Sequence, residues 1–247
     1  MMYILVALFG VLVGSFCNVC IVRIPKDEGV VMGFSHCTSC NKRLVWWELV
    51  PVVSWVLLKG KCYGCKSRIS IQYPLVELFN GLIWVVIVYY IGFNIEALLG
   101  CMLVSTLLVI SIIDAKTMII PIETTVFIGI LGIIYSMFNI SNWREHLLGF
   151  FCISTILLLI FIISKGTAIG GGDVKLMAGA GLYLGLVGTL IAFFTACLLG
   201  SIIHPIRMKL FGVNNRLAMG PYLSIGIGIS LIWGTLLTDW YFLALFG

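Results

Sequence analysis

The chain has 247 residues, of which 61% are hydrophobic and 10% charged, whereas soluble domains are about 45–50% apolar and about 25% charged. So much apolar surface excludes a water-soluble globule, and the lack of apolar–polar alternation excludes a membrane β-barrel. The formal net charge is +5, but eight of the fifteen Lys and Arg residues fall between Arg23 and Arg68, a clustering that orients a membrane protein and gives no reason to expect nucleic-acid binding.

The composition predicts an all-α polytopic protein of the lipid bilayer, where about 20 apolar residues make a crossing. Charges, glycines and prolines divide the chain into about eight runs: 2–22, 74–93, 96–113, 122–139, 147–164, 174–186, 187–204 and 220–240. The first run lacks a basic leading region and a small-residue cleavage site, so it reads as a retained helix and not a secretory signal. Between the first two runs lies the longest polar stretch, 24–73, with seven Lys and Arg against three acidic residues. Basic segments stay on the cytoplasmic side. That places the N-terminus outside, and the loops holding Lys116, Lys165 and the group Arg207, Lys209 and Arg216 inside; Arg144 falls outside. A single span over 174–204 would move the last basic loop outside, so two spans fit better. The organisation is a first transmembrane helix (1–23), a cytoplasmic segment (24–73) and a membrane domain (74–247).

The cytoplasmic segment carries CTSC at 37–40 and CYGC at 62–65. Each pair spaces two thiolates so that one tight turn presents both to a single ion, and two such turns complete a closed tetrahedral site. Cys37, Cys40, Cys62 and Cys65 are therefore the expected ligands of a structural Zn²⁺, in a compartment too reducing for disulfides. The 21-residue spacer contains WWELVPVVSWVLL, apolar enough to rest on the membrane surface or pack against the helices. Cys17 and Cys20 also form a CxxC, but inside an apolar helix, where cysteine behaves as a small hydrophobe.

Acidic residues near a membrane are functional candidates. Glu77, Glu96, Glu123 and Asp239 sit at span ends, where snorkelling to water is the simplest reading. Asp114 closes the third span and Asp173 opens the sixth, both at the cytoplasmic level. Two carboxylates in one site share a proton and can together activate a water and polarise a carbonyl, the chemistry of aspartic proteases. GGGD at 170–173 is suited to this, because Gly170 and Gly172 allow unusual backbone conformations and close approach of a substrate strand; Asp173 is equally suited to capping a helix. A helix start favours negative charge and a helix end disfavours it, so Asp173 is expected to be the ionised base and Asp114 the protonated acid.

These residues make the chain similar to the type IV prepilin peptidases, GxGD-type intramembrane aspartic proteases. Six blocks carry the resemblance in order: GSFCNVCIVRIP (14–25), the two CxxC pairs, YPLVELFNGLIW (73–84), IIDAKTMIIP (112–121), GGGDVKLM (170–177) and MGPYLSIG (219–226). Asp114 leads the segment matching the family's Asp-x-x-x-x-x-x-Pro, and Asp173 ends its GxGD. Many members carry further acidic residues where this chain has Lys116 and Ile122, with Glu123 one place on. The resemblance implies a bacterial inner-membrane enzyme. It would cut prepilins and pseudopilins after a short basic leader and, because the cysteines are present, would methylate the new N-terminal amine with S-adenosylmethionine. No Rossmann-type glycine-rich turn marks a methyl-donor site. The rival reading, a transporter or scaffold with a cytosolic zinc module, would place its carboxylates near the membrane midplane.

Overall fold

Lipid offers no hydrogen bonds to a bare backbone, so each long apolar run must satisfy its own N–H and C=O groups, and the helix is the local way to do so. The computed structural model describes residues 1–30, 33–211 and 217–246. Among these there is no strand, only two isolated antiparallel bridges. Six helices are long and apolar enough to cross a membrane, and Ile122–Phe138 is a shorter apolar helix. Arg216, one of the basic residues used above to orient the chain, lies outside the described residues.

The chain divides into two units. In the first, Met1–Phe93, α1 (Met2–Arg23) packs along α3 (Gln72–Ile91). Between them lie two 3-10 turns, Ile24–Lys26 and Trp46–Leu49, and the short α2 (Val53–Leu57). Small residues let α1 and α3 approach closely, the usual device of membrane helix pairs. A Cβ on Gly10 would lie 2.9 Å from the Cα of Gly81, and one on Gly14 would lie 2.8 Å from the Cα of Glu77. Asn80 is buried beside this contact and donates from Nδ2 to the Gly10 carbonyl at 2.7 Å.

The second unit, Asn94–Gly247, contains α4 (Ile95–Thr117), α5 (Ile122–Phe138), α6 (Trp143–Ile163), α7 (Gly171–Phe211) and α8 (Gly220–Phe246). Asn94 starts α4 by accepting the Ala97 N–H at 2.8 Å, an ordinary N-cap. The core runs through Leu103, Leu107 and Ile110 of α4, Ile128 of α5, Leu176 and Met177 of α7, and Leu223 and Ile227 of α8. α7 is central to it, and its glycines are the reason. A Cβ on Gly179 would lie 3.1 Å from the Gly129 N of α5, while one on Gly181 would collide with the Gly149 carbonyl of α6.

The sixth and seventh spans expected at 174–186 and 187–204 are two arms of α7, which breaks at Gly185 with φ 74° and ψ −177°. Only glycine takes this backbone conformation without a steric penalty. The break falls where the apolar pattern places the boundary, and the helix resumes directly beyond it.

Candidate active site and metal centre

Asp114 stands in the last turn of α4, and the helix stops just beyond it. Met118 adopts a left-handed conformation (φ 56°) and its N–H closes the end on the Asp114 carbonyl at 2.8 Å. The Asp114 side chain is 5% exposed. Its Oδ2 accepts the N–H of Gly220, the first residue of α8, at 2.8 Å. Asp173 is the third residue of α7 and half-buried. Its Oδ2 accepts the N–H of Gly170 at 3.2 Å, the arrangement by which a third-position carboxylate caps its own helix. The start of α7 is held against the α4–α5 connection, where a Cβ on Gly172 would fall 2.7 Å from the Cβ of Ile120. The two carboxylates lie within electrostatic reach of one another, although they stand 59 positions apart in the chain.

Two local expectations change. Gly172 is needed, but the neighbour that uses the missing side chain is Ile120 of this chain. The proposed division of the proton also loses its basis. Asp114 does end a helix, yet its carboxylate rests on the N-terminus of α8, so both aspartates face the positive end of a helix dipole. Both stand in terminal turns and not at mid-helix, which disfavours a transporter site.

Sequence reasoning gave Gly220 no role. The Gly-Pro pair at 220–221 was its signal, since proline is at home in the first turn of a helix. A Cβ on Gly220 would lie 2.7 Å from Asp114 Oδ2 and 2.9 Å from its Cβ, so any side chain displaces the carboxylate. Displacement of a reacting group by about 1 Å can cost about a hundredfold in rate. Gly220→Ala should lower leader cleavage by about that factor without loss of folded protein, measured as initial rates on a prepilin in proteoliposomes; an unchanged rate would remove Gly220 from the site.

The four cysteines of 37–65 come together in the first unit with all Sγ atoms within 4.8 Å of one another, and Cys37 Sγ is 3.9 Å from Cys65 Sγ. Tetrahedral thiolates bonded at about 2.3 Å stand about 3.8 Å apart, so this set could hold a metal ion with little movement. Two matching turns build it. The Cys37 N–H donates to the Lys42 carbonyl and the Asn41 N–H to the Cys37 carbonyl, while Cys62, Ser67 and Lys66 repeat the pattern. Asn41 and Lys66, each just after the second cysteine of its pair, are both left-handed (φ 55° and 60°).

The sulfurs crowd one another. The Cys37 thiol is drawn down to about 6, first by the Ser39 N–H and then by the Cys40 N–H. Cys40 is pushed up to about 11: the Lys42 N–H pulls the other way, but hydrogen bonding with Cys65 and Cys37 prevails. A bound dication would let all four ionise together. Cys17 and Cys20 stand apart from the cluster in α1.

Lys42 and Glu48 pair at 3.0 Å. Glu123 and Asp239 are exposed, as span-end carboxylates should be, and Glu96 accepts from Asn139 Nδ2 at 3.4 Å. Glu77 differs. It is 6% exposed, and its Oε2 accepts the Val52 N–H at 2.7 Å. The apolar WWELVPVVSWVLL insert therefore packs onto the start of α3, and Glu77 does not snorkel.

Residues 8–91 match the Bacterial Peptidase A24 N-terminal domain, and residues 101–204 match the Type IV leader peptidase family. The chain is 30% identical to the prepilin leader peptidase/N-methyltransferase of Pseudomonas putida, over 93% of this chain and 90% of the relative. It is also 30% identical to the enzyme of that name from Xanthomonas campestris, over 94% of this chain and 91% of the relative. The Neisseria gonorrhoeae counterpart is 30% identical over 90% and 87%. No solved structure matches the chain.

Proposed function

Because the chain belongs to the type IV leader peptidase family, we propose that Asp114 and Asp173 cut the leader from prepilins and pseudopilins at the cytoplasmic face of the bacterial inner membrane. What supports this is that the two carboxylates lie within electrostatic reach of one another, each held by one backbone N–H at a helix start. In the reaction one carboxylate, ionised, takes a proton from water as the oxygen attacks the scissile carbonyl. The other, protonated, hydrogen-bonds the carbonyl oxygen as negative charge develops on it. Collapse of the tetrahedral intermediate breaks the C–N bond, and a proton passes from the pair to the leaving amine. Gly170 and Gly172 shape the loop that presents Asp173.

The new N-terminal amine then gains a methyl group. S-adenosylmethionine, when bound, would supply that methyl as a sulfonium-activated electrophile and leave as the neutral thioether, the amine losing its proton to water. Cys37, Cys40, Cys62 and Cys65 hold a Zn²⁺ that is structural, since four protein sulfurs leave it no open position for water. The basic 24–73 segment is cytoplasmic and the N-terminus lies outside.

Co-expression with a prepilin tests the reading. The expected product lacks its leader and carries one N-terminal methyl group by peptide mass spectrometry. A precursor left full-length beside well-expressed enzyme would overturn it.

A further inference from the structure

The first unit contains a cavity of about 420 Å³ between the end of α1, the start of α3 and the cysteine segment, within the range of about 300–1,000 Å³ usual for small-molecule sites. We propose that this cavity binds S-adenosylmethionine, with the Glu77 carboxylate opposite the positive sulfonium end and Asn18 Oδ1 accepting an N–H of the ligand. The proposal rests on the methyl-transfer reading above and gives that activity a place.

Glu77 carries the argument. It is buried, lines the cavity and is held by the Val52 N–H at 2.7 Å and by the Ser15 hydroxyl. Among the described residues no Lys or Arg pairs with Glu77, so it has no cation of its own. A carboxylate taken out of water needs hydrogen bonds and a counter-charge. The protein supplies the hydrogen bonds, and the cavity leaves room for the counter-charge. The methyl donor brings one, because its sulfonium and ammonium groups outweigh its single carboxylate.

Asn18 is the second observation. It is 2% exposed, and its Nδ2 donates to the Tyr73 carbonyl at 3.0 Å, while Oδ1 has no partner. A buried amide oxygen left without a partner is costly, and a ligand N–H would remove that cost. The walls suit the rest of the donor. Trp55 and Tyr73 offer aromatic surface for a purine or a sulfonium. The Trp55 ring is fixed by its Nε1–H, which donates to the Ile69 carbonyl at 3.2 Å. Arg23 brings a guanidinium for the donor's carboxylate. Two of its N–H groups are already used on the carbonyls of Gly29 and Phe34 at 3.1 and 3.2 Å, which position it.

The test is titration calorimetry of the full-length protein in lipid nanodiscs, with S-adenosylmethionine and with S-adenosylhomocysteine, whose sulfur is neutral. Glu77→Gln keeps an oxygen for the Val52 N–H and removes the charge. It should weaken S-adenosylmethionine about tenfold while changing S-adenosylhomocysteine by less than about twofold. Asn18→Leu should weaken both, and leader cleavage should survive in both variants. An unchanged ratio of the two affinities in a cleaving Glu77→Gln protein overturns the assignment. Ultraviolet cross-linking of S-adenosylmethionine to the wild-type protein decides the matter if the variants do not fold. A label within 15–28, 35–49, 54–63 or 67–77 supports the cavity, and a label elsewhere overturns it. A wild-type protein that cleaves and binds no S-adenosylmethionine would instead overturn the methyl-transfer reading itself.

Discussion

Asp114→Asn and Asp173→Asn should each lower leader cleavage by about a thousandfold or more, the scale of general acid–base catalysis, while the protein stays folded. Asparagine keeps an acceptor oxygen of the same reach. Position 173 can still cap the Gly170 N–H, and position 114 can still receive the Gly220 N–H, so neither helix start is undone. What asparagine cannot do is carry or release the proton. Neither residue alone can both activate water and protonate the leaving amine, so the double variant should be about as inactive as either single one. Such non-additivity marks groups that work as a unit. The measurement is the rate of prepilin processing in proteoliposomes, with helical content by circular dichroism as the control for folding. One single variant that folds and cuts at near the wild-type rate would end the assignment of the pair.

Stripping the metal should unfold the cysteine segment and leave the membrane helices standing. Among the described residues between α1 and α3 there are only a 3-10 turn at each of Ile24–Lys26 and Trp46–Leu49, the five-residue α2 and two isolated bridges. That is too little regular structure to make a core of its own. A structural zinc site supplies about 10–16 kcal/mol of apparent binding energy, which in so small a module is folding energy. Four thiolates and one Zn²⁺ carry −2, so the +4 of residues 24–73 falls to +2 on binding. Purified protein should contain one zinc per chain. Chelation, or Cys→Ser at Cys37 or Cys62, should open sites between residues 26 and 70 to limited proteolysis. Methylation should be lost before leader cleavage, because the proposed donor cavity shares Cys37 and Cys62 with the metal cluster. Absence of metal from protein purified without chelators, or unchanged proteolysis after stripping, would remove the zinc site.

Several features were legible in the residues because the physics that sets them is local. Apolar run length is imposed by the thickness of lipid, so the helices fall where the hydropathy puts them. Two thiolates two residues apart can meet one ion through a single turn, so the four cysteines that come together could be named from spacing alone. Even the break in α7 lies within two residues of the expected boundary, because only glycine takes that conformation cheaply and Gly185 sits there.

What depended on distant partners could not be read this way. Asp114 looks like a helix-end residue until α8 arrives from 106 residues away and offers it the Gly220 N–H. The sign of its surroundings is thus set by packing and not by its own helix. Glu77 looks like a snorkelling carboxylate until Val52 covers it. Asn18 looks like a polar interruption in an apolar helix until the Tyr73 carbonyl takes one end of its amide and packing leaves the other end buried without a partner. In each case the residue type announces that a polar group must be satisfied in an apolar place. Which group satisfies it is decided only when separate segments close around it, since burial and hydrogen-bond partnership belong to the packed structure and not to the run of residues.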